Sequence, residues 1–316
     1  MNKENKINKR FKKSNLNKSS WKSILYSQKL APYVFVLPFI LTFLIFFIYP
    51  IIRTSIMSFQ DISIGRVNFI GLNNYIRLFK DSTFYIAVRN SVTYTILTLA
   101  ILIPLPLLFA WMLNSRTMIG QDVFKSLLFI PILTSVVVAG ITFRFMFNST
   151  DKALANSLVI LLGGEKIQWL SRRWPAMMVM VLLCFWRWAG MNTVYFLAGL
   201  KQIPEELYEA ADIDGANGWN KFRYISLPCL RPTMIYVLTI SIYGGLSMIT
   251  EYLMLWGGKS SPQNIGLTIV GYIYQKGINQ NNMGYASCVG LILLFIVLAI
   301  NLVILRTTGV FGKERD

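Results

Sequence analysis

Six long apolar runs, almost free of charge, decide what this chain can fold into. They extend roughly over residues 33–52, 85–113, 126–147, 175–200, 233–256 and 285–305. A helix needs about 20 apolar residues to cross the hydrocarbon of a bilayer, and it satisfies its own backbone polar groups while doing so. A chain of 316 residues with 54% hydrophobic content can instead build soluble domains, but it then distributes its apolar residues periodically and does not gather them into runs. The runs predict an all-α integral membrane protein with six transmembrane helices and a polar helix-turn-helix between helices 4 and 5. One membrane domain over residues 32–306 is expected, with a basic tail over 1–31 before it and a short tail over 307–316 after it.

The formal charge of +17 is distributed unevenly, with nine Lys/Arg in the first 31 residues. That is the flank expected on the cytoplasmic side of a first span, and it places both termini in the cytoplasm. A solvated, disordered segment that sets topology is the plain account of such a tail, and binding to anionic lipid the sharper one. Nucleic acid is excluded as a partner because no aromatic or Gly-rich binding module accompanies the charge. The first run is expected to stay attached, since Tyr49-Pro50-Ile51-Ile52-Arg53 offers no small-residue cleavage pattern. Cys184 and Cys288 fall inside spans and Cys229 on the cytoplasmic side, so no disulfide framework follows.

The loop containing Phe69-Ile70-Gly71-Leu72-Asn73-Asn74-Tyr75 reads as turns between short helical pieces. Pro104 and Pro106 predict a kink or break in the second span. Trp174 and Trp256 stand at span ends, where the interfacial aromatic belt lies. The chain has no histidine, which removes Ser-His-Asp, Cys-His and His-based metal chemistry and leaves no enzyme reading.

The segment from Glu209 to Pro228 is the one polar, motif-like stretch. Pro204 with Glu205 and Glu206 suits a helix start. Gly215 offers a left-handed turn that ends this helix, and Trp219, Phe222 and Ile225 mark the apolar side of a second one, which Pro228 and Pro232 are expected to close.

Arg144, Arg187 and Glu251 fall within apolar runs. Ionisable groups at such depth face a cavity or a partner. Arg144 is near a span end and can snorkel to the interface. Trp186, Arg187, Trp188, Asn192 and Tyr195 on the fourth run, with Tyr243, Ser247, Glu251 and Tyr252 on the fifth, form a candidate pathway for a small polar solute. An Arg187 to Glu251 ion pair, or pairing with a partner subunit, is the competing account.

With these residues in view, the polar segment resembles the coupling loop of binding-protein-dependent ABC importer permeases. The family pattern is Glu-Ala-Ala, three residues, Gly, nine residues, Ile, one residue, Leu-Pro. It is met here by Glu209, Ala210, Ala211, Gly215, Ile225, Leu227 and Pro228. The likeness is greatest to the maltose-type sugar permeases, and within them to the arabinose and arabino-oligosaccharide permeases of Gram-positive bacteria. Tyr49-Pro50, the 196–200 stretch Phe-Leu-Ala-Gly-Leu, Gly284-Tyr285-Ala286 and the 266–272 stretch Gly-Leu-Thr-Ile-Val-Gly-Tyr carry it. Many relatives have Gly-Gly-Gly-Pro after the fifth span, where this chain reads Gly257-Gly258-Lys259-Ser260-Ser261-Pro262.

The resemblance implies a multi-pass cell-membrane permease that forms half of a sugar pathway. Its implied partners are a second homologous permease in a heterodimer, two copies of an ABC ATPase that use ATP and Mg, an extracytoplasmic sugar-binding lipoprotein and the sugar. Glu209, Ala210, Ala211, Asp212, Asp214, Gly215, Ala216, Trp219, Phe222, Ile225, Leu227 and Pro228 would couple to the ATPase within a loop over residues 201–232. The alternatives are a permease for malto-, galacto- or xylo-oligosaccharides, or a self-contained proton-coupled carrier.

Overall fold

A computed structural model describes residues 30–63, 66–115 and 118–307. The basic tail and the residues after 307 lie outside the described residues. The chain divides into two units, one ending at Met57 and one beginning at Ser58.

In the first unit, helix α1 runs over Ala31–Met57. It contains a wider π turn at Leu44–Ile48. That turn lies just ahead of Pro50, whose missing N–H leaves a carbonyl of the preceding turn without its usual donor. Phe39, Phe43 and Phe47 stack at four-residue spacing, with centroids 6.3 and 5.5 Å apart. No residue in the most apolar stretch of α1 is buried, which suits a helix facing lipid.

The second unit begins with a feature the sequence reading did not anticipate. Instead of helical pieces alone, the first loop holds an antiparallel hairpin, β1 (Gln60–Ser63) and β2 (Arg66–Phe69), before the short helix α2 (Asn73–Leu78). Asn74 fixes it by donating from Nδ2 to the carbonyls of Ser58 and Gln60 at 2.9 and 3.0 Å.

Helices α3 (Ser82–Leu102) and α4 (Pro104–Leu113) together span 32 residues and break at Ile103. Pro106 has no N–H for the Leu102 carbonyl. Asn192, from a neighbouring helix, donates to that carbonyl at 3.1 Å, so the break is satisfied inside the protein.

The third apolar run is not one span of regular helix. It folds as α5 (Gln121–Leu133) and α6 (Val136–Met146), bent by 93°. Pro131 removes a donor near the end of α5, and Thr134 and Ser135 then turn extended. The fourth run is the uninterrupted helix α8 (Arg173–Leu200), reached after the short helix α7 (Leu154–Leu161), and it packs against α3, α4 and α5.

After α8 come α9 (Glu205–Ile213) and α10 (Gly218–Cys229), the latter widened by a π turn at Phe222–Ser226. Pro228 does not close this unit: it lies in the last turn of α10, and the 67° bend follows it, into α11 (Arg231–Leu246), with Pro232 in the first turn.

The fifth run also breaks. Ser247, Met248 and Ile249 leave the helix before α12 (Thr250–Leu255), and Ile249 has φ −137°. Among the described residues four helices are long and apolar enough to cross a membrane, or up to six if each bent pair is one span.

The segment after α12 does not stay on the surface. Leu267, Thr268 and Ile269 are fully or almost fully buried. Helix α13 (Ile269–Tyr274) follows, and then the last long helix, α14 (Met283–Thr307). Asn90 on α3 donates to the carbonyls of Asn264 and Leu267 at 2.9 and 3.1 Å, and the Ser91 hydroxyl accepts from the Ile269 amide at 2.9 Å. The buried backbone of this inserted segment is thereby satisfied.

Trp256 corrects another expectation. It is buried and donates from Nε1 to the Leu170 carbonyl at 3.0 Å, so it is a core residue and not a belt anchor. Trp174 is exposed, as expected of an anchor.

Candidate functional site

Two places bring the polar residues of the chain together. The first is a cavity of about 430 Å³ walled by α3, α8 and the broken segment between α11 and α12. Trp188, Asn192 and Tyr195 line it from α8, and Tyr243, Ser247 and Glu251 from the broken segment. Tyr94 and Thr98 of α3 also line it and escaped the sequence reading. Their signal was the run Ser91, Tyr94, Thr95 and Thr98, which puts polar groups on one face of an apolar helix at helical spacing.

The remaining candidates lie elsewhere. Trp186 packs against Phe143 with ring centroids 5.8 Å apart. Tyr252 is buried against Trp256 at 5.6 Å. Arg187 stands behind the wall, its guanidinium 6.0 Å from the Trp188 ring. Its Nη1 donates to Glu251 Oε1 at 3.0 Å, with both side chains largely buried. Leaving either charge alone at that depth would be costly, so the pair compensates in place. Arg144 is exposed, its guanidinium resting on the turn at Gly257.

The break makes the cavity. Gly244, Gly245 and Ser247 supply little side-chain bulk, and Gly245 lies tightly against Thr95 of α3. With the helix interrupted, Met248, Ile249 and Thr250 turn into the wall. Glu251 then reaches the same cavity as Ser247 from a separate helix and not, as a continuous helix would have it, from one face.

The second place is the hairpin of α9 and α10. Gly215 has φ +74°, the Ala216 amide donates to the Ala211 carbonyl at 2.9 Å and the Gly215 amide to the Asp212 carbonyl at 3.0 Å. This is a Schellman end, in which a left-handed glycine lets the orphan carbonyls of α9 be used. The Asn217 side chain then caps α10 by accepting from the Asn220 amide at 2.9 Å. Lys221 forms an ion pair with Asp212, and the hydroxyls of Tyr208 and Ser226 meet at 2.8 Å, so α9 and α10 are joined side to side.

The hairpin has an inner and an outer side. Phe222 stacks on Trp111 of α4 at 5.4 Å and on Trp219 at 5.6 Å. Phe222 and Leu227 pack on a core that includes Leu107, Leu200 and Leu230, while Ile225, Ala211 and Ala216 are half-buried. Glu209, Ala210, Asp212, Asp214, Gly215, Trp219 and Pro228 are exposed. At the tip, Ile213 is exposed over 89% of its surface, an apolar side chain with no covering in this chain.

This arrangement of broken spans around a cavity, with an exposed hairpin, fits the family to which the chain belongs: the binding-protein-dependent transport system inner membrane components, matched over residues 87–314. It is therefore a membrane permease component of an ABC importer. The chain is 51% identical over 296 residues to the arabinooligosaccharides transport system permease protein AraP of Bacillus subtilis (strain 168), covering 94% of each. It is 48% identical over 287 residues to the AraP protein of Halalkalibacterium halodurans, covering 91% of this chain and 90% of that one. Its fold matches a chain of a bacterial ABC transporter that imports the acidic polysaccharide alginate, with TM-score 0.79 and 27% identity over 93% of this chain and 100% of the other.

Proposed function

We propose that this chain is one permease half of an ATP-driven importer of arabino-oligosaccharides, and that it performs no covalent chemistry of its own. The observation that carries the sugar is the 51% identity to an arabino-oligosaccharide permease along nearly the whole of both chains. A cavity with aromatic and hydroxyl groups on its wall suits the same class of solute, since sugar rings stack on aromatic faces and their hydroxyls need a few fixed polar partners.

The other half of the pathway is a second, homologous permease. Two ABC ATPase subunits using ATP and Mg dock on the two hairpins, and an extracytoplasmic lipoprotein delivers the sugar to the outer segments. Both termini face the cytoplasm, which puts the α9–α10 hairpin on the ATPase side. Exposed Glu209, Asp212, Asp214 and Ile213 enter the ATPase groove, and Phe222, Ile225 and Leu227 transmit its movement to α4, α8 and α11. Trp188, Asn192, Tyr195, Tyr243, Ser247 and Glu251 contact the sugar.

Uptake into proteoliposomes carrying this chain, its partner permease, the ATPase and the lipoprotein tests the reading. Labelled arabinotriose should accumulate with ATP and be displaced by unlabelled arabinotriose but not by maltotriose. Accumulation of maltotriose in preference would overturn the sugar assignment, and accumulation without ATP would overturn the importer class.

A further inference from the structure

Glu251 is the single Asp, Glu, Lys or Arg on the cavity wall among the described residues. Its Oε1 is held by Arg187 Nη1, and no hydrogen bond from a described residue reaches its Oε2. Arg187 itself is absent from the wall, and its Nε has no partner among the described residues. The pair is therefore an oriented dipole, with the carboxylate toward the cavity and the guanidinium behind it.

We propose that Glu251 makes this cavity charge-selective: it admits neutral, hydroxyl-rich oligosaccharides and rejects those bearing a carboxylate, such as uronic acid oligomers. The inference rests on reading the cavity as the sugar pathway. A sugar hydroxyl donates to the free Oε2, and hydrogen bonds to an ionised acceptor are the strong ones. A carboxylate on the solute has no proton to donate there and brings a second negative charge close to the first. In a partly enclosed cavity that repulsion is screened less than in open water, and no basic residue stands on this wall beside it. An importer of the acidic polysaccharide alginate shares the fold at TM-score 0.79, so the fold alone does not decide between neutral and acidic sugars.

The experiment uses the assembled transporter in nanodiscs without the binding lipoprotein, so that only the membrane cavity selects. Labelled arabinobiose is bound, and two derivatives compete for it: the alditol, which is neutral, and the aldonate, which differs by one carboxylate. The wild type should bind the aldonate about tenfold more weakly than the alditol, as expected for a like-charge contact that Arg187, behind the carboxylate, offsets only in part. Glu251→Gln, which leaves Arg187 as an uncompensated cation, should bring the two within about twofold or invert them. The double variant Arg187→Gln/Glu251→Gln, which leaves no charge unpaired, should also flatten the ratio and serves where the single variant fails to assemble.

Equal binding of alditol and aldonate to the wild type overturns the proposal whichever variants assemble, and so does an unchanged ratio in either variant. Failure of the sugar assignment is separable. If arabinobiose does not bind but another reducing disaccharide does, the arabinose reading falls, and the same alditol and aldonate pair made from that sugar still decides the charge question.

Discussion

Thr268 donates from Oγ1 to the carbonyl of Met248 at 2.8 Å, and through this bond the inserted segment after α12 holds the broken part of the fifth span. The same hydroxyl accepts from the Gly271 amide at 3.1 Å and so caps α13. One side chain thus serves the inserted segment and the cavity wall, because Met248 lines the cavity.

Replacing Thr268 with Val keeps the shape and removes both bonds. The loss should be about 1–3 kcal/mol, since a buried acceptor and a helix cap are left unmet together. Thermal unfolding of the purified complex measures the loss. Sugar uptake should fall more than basal ATP hydrolysis, and an unchanged melting temperature would contradict the role of this bond.

Gly215 adopts φ +74° with no atom within 4 Å of where a Cβ would stand. A substitution there is penalised by backbone conformation and not by crowding. Gly215→Val should cost about 1–2 kcal/mol locally and uncouple ATP hydrolysis from uptake, whereas Gly215→Asn, which tolerates a left-handed turn, should stay close to wild type. The ratio of sugar transported to ATP hydrolysed reads the difference.

Gly190 is the opposite case, because a methyl group there would collide with the Leu128 carbonyl of α5. Backbone is in the way, and no side chain can turn aside. Gly190→Ala should destabilise by about 3 kcal/mol or more and reduce the amount of folded protein in the membrane. Normal assembly, judged by size-exclusion chromatography in detergent, would show that α5 and α8 separate more readily than their packing indicates.

Asp81 caps α3 by accepting from the Thr83 amide at 2.8 Å and gathers partners from α13, α14 and the turn between them: the Tyr272 hydroxyl at 2.5 Å, the Tyr285 hydroxyl at 3.3 Å and Lys276 at 3.9 Å. Burial by itself would raise its pKa, but the hydrogen bonds from Tyr272 and Thr83, with the Lys276 charge, outweigh it and hold the carboxyl below the ordinary value of 3.8. A depressed acid stabilises fully above its ordinary pKa, and that stability is lost as pH falls through the lower, folded value. Asp81→Asn should therefore lower stability by about 1–3 kcal/mol at neutral pH. The gap in melting temperature from wild type should hold constant from pH 8 to about 5 and narrow below about 4.

The six runs were legible because hydrophobicity over some twenty residues is a property of composition, and composition is what the bilayer selects. The breaks were less so. Pro104 and Pro106 announced the one at Ile103. The one at Ser247–Ile249 carries no proline, and it is held by tertiary contacts from Thr95 and Thr268 that lie far away in sequence. The hairpin of α9 and α10 was legible from Gly215 and the flanking carboxylates, since a helix end is decided locally. Trp256 misled for the converse reason. Its position at a span end suits lipid headgroups, and only the Leu170 carbonyl from a distant loop makes it a core residue.

The two sites rest on separate apolar cores. Phe222 and Leu227 of the hairpin pack with Leu107, Phe196, Leu200 and Val237, whereas Met248 and Tyr252 beside the cavity pack with Tyr94, Met180 and Leu267. Tyr195 joins them, since it packs on the hairpin's core and also lines the cavity. A change of side chain at Tyr195 is therefore felt in two places, in the shape of the cavity and in the seat of the hairpin.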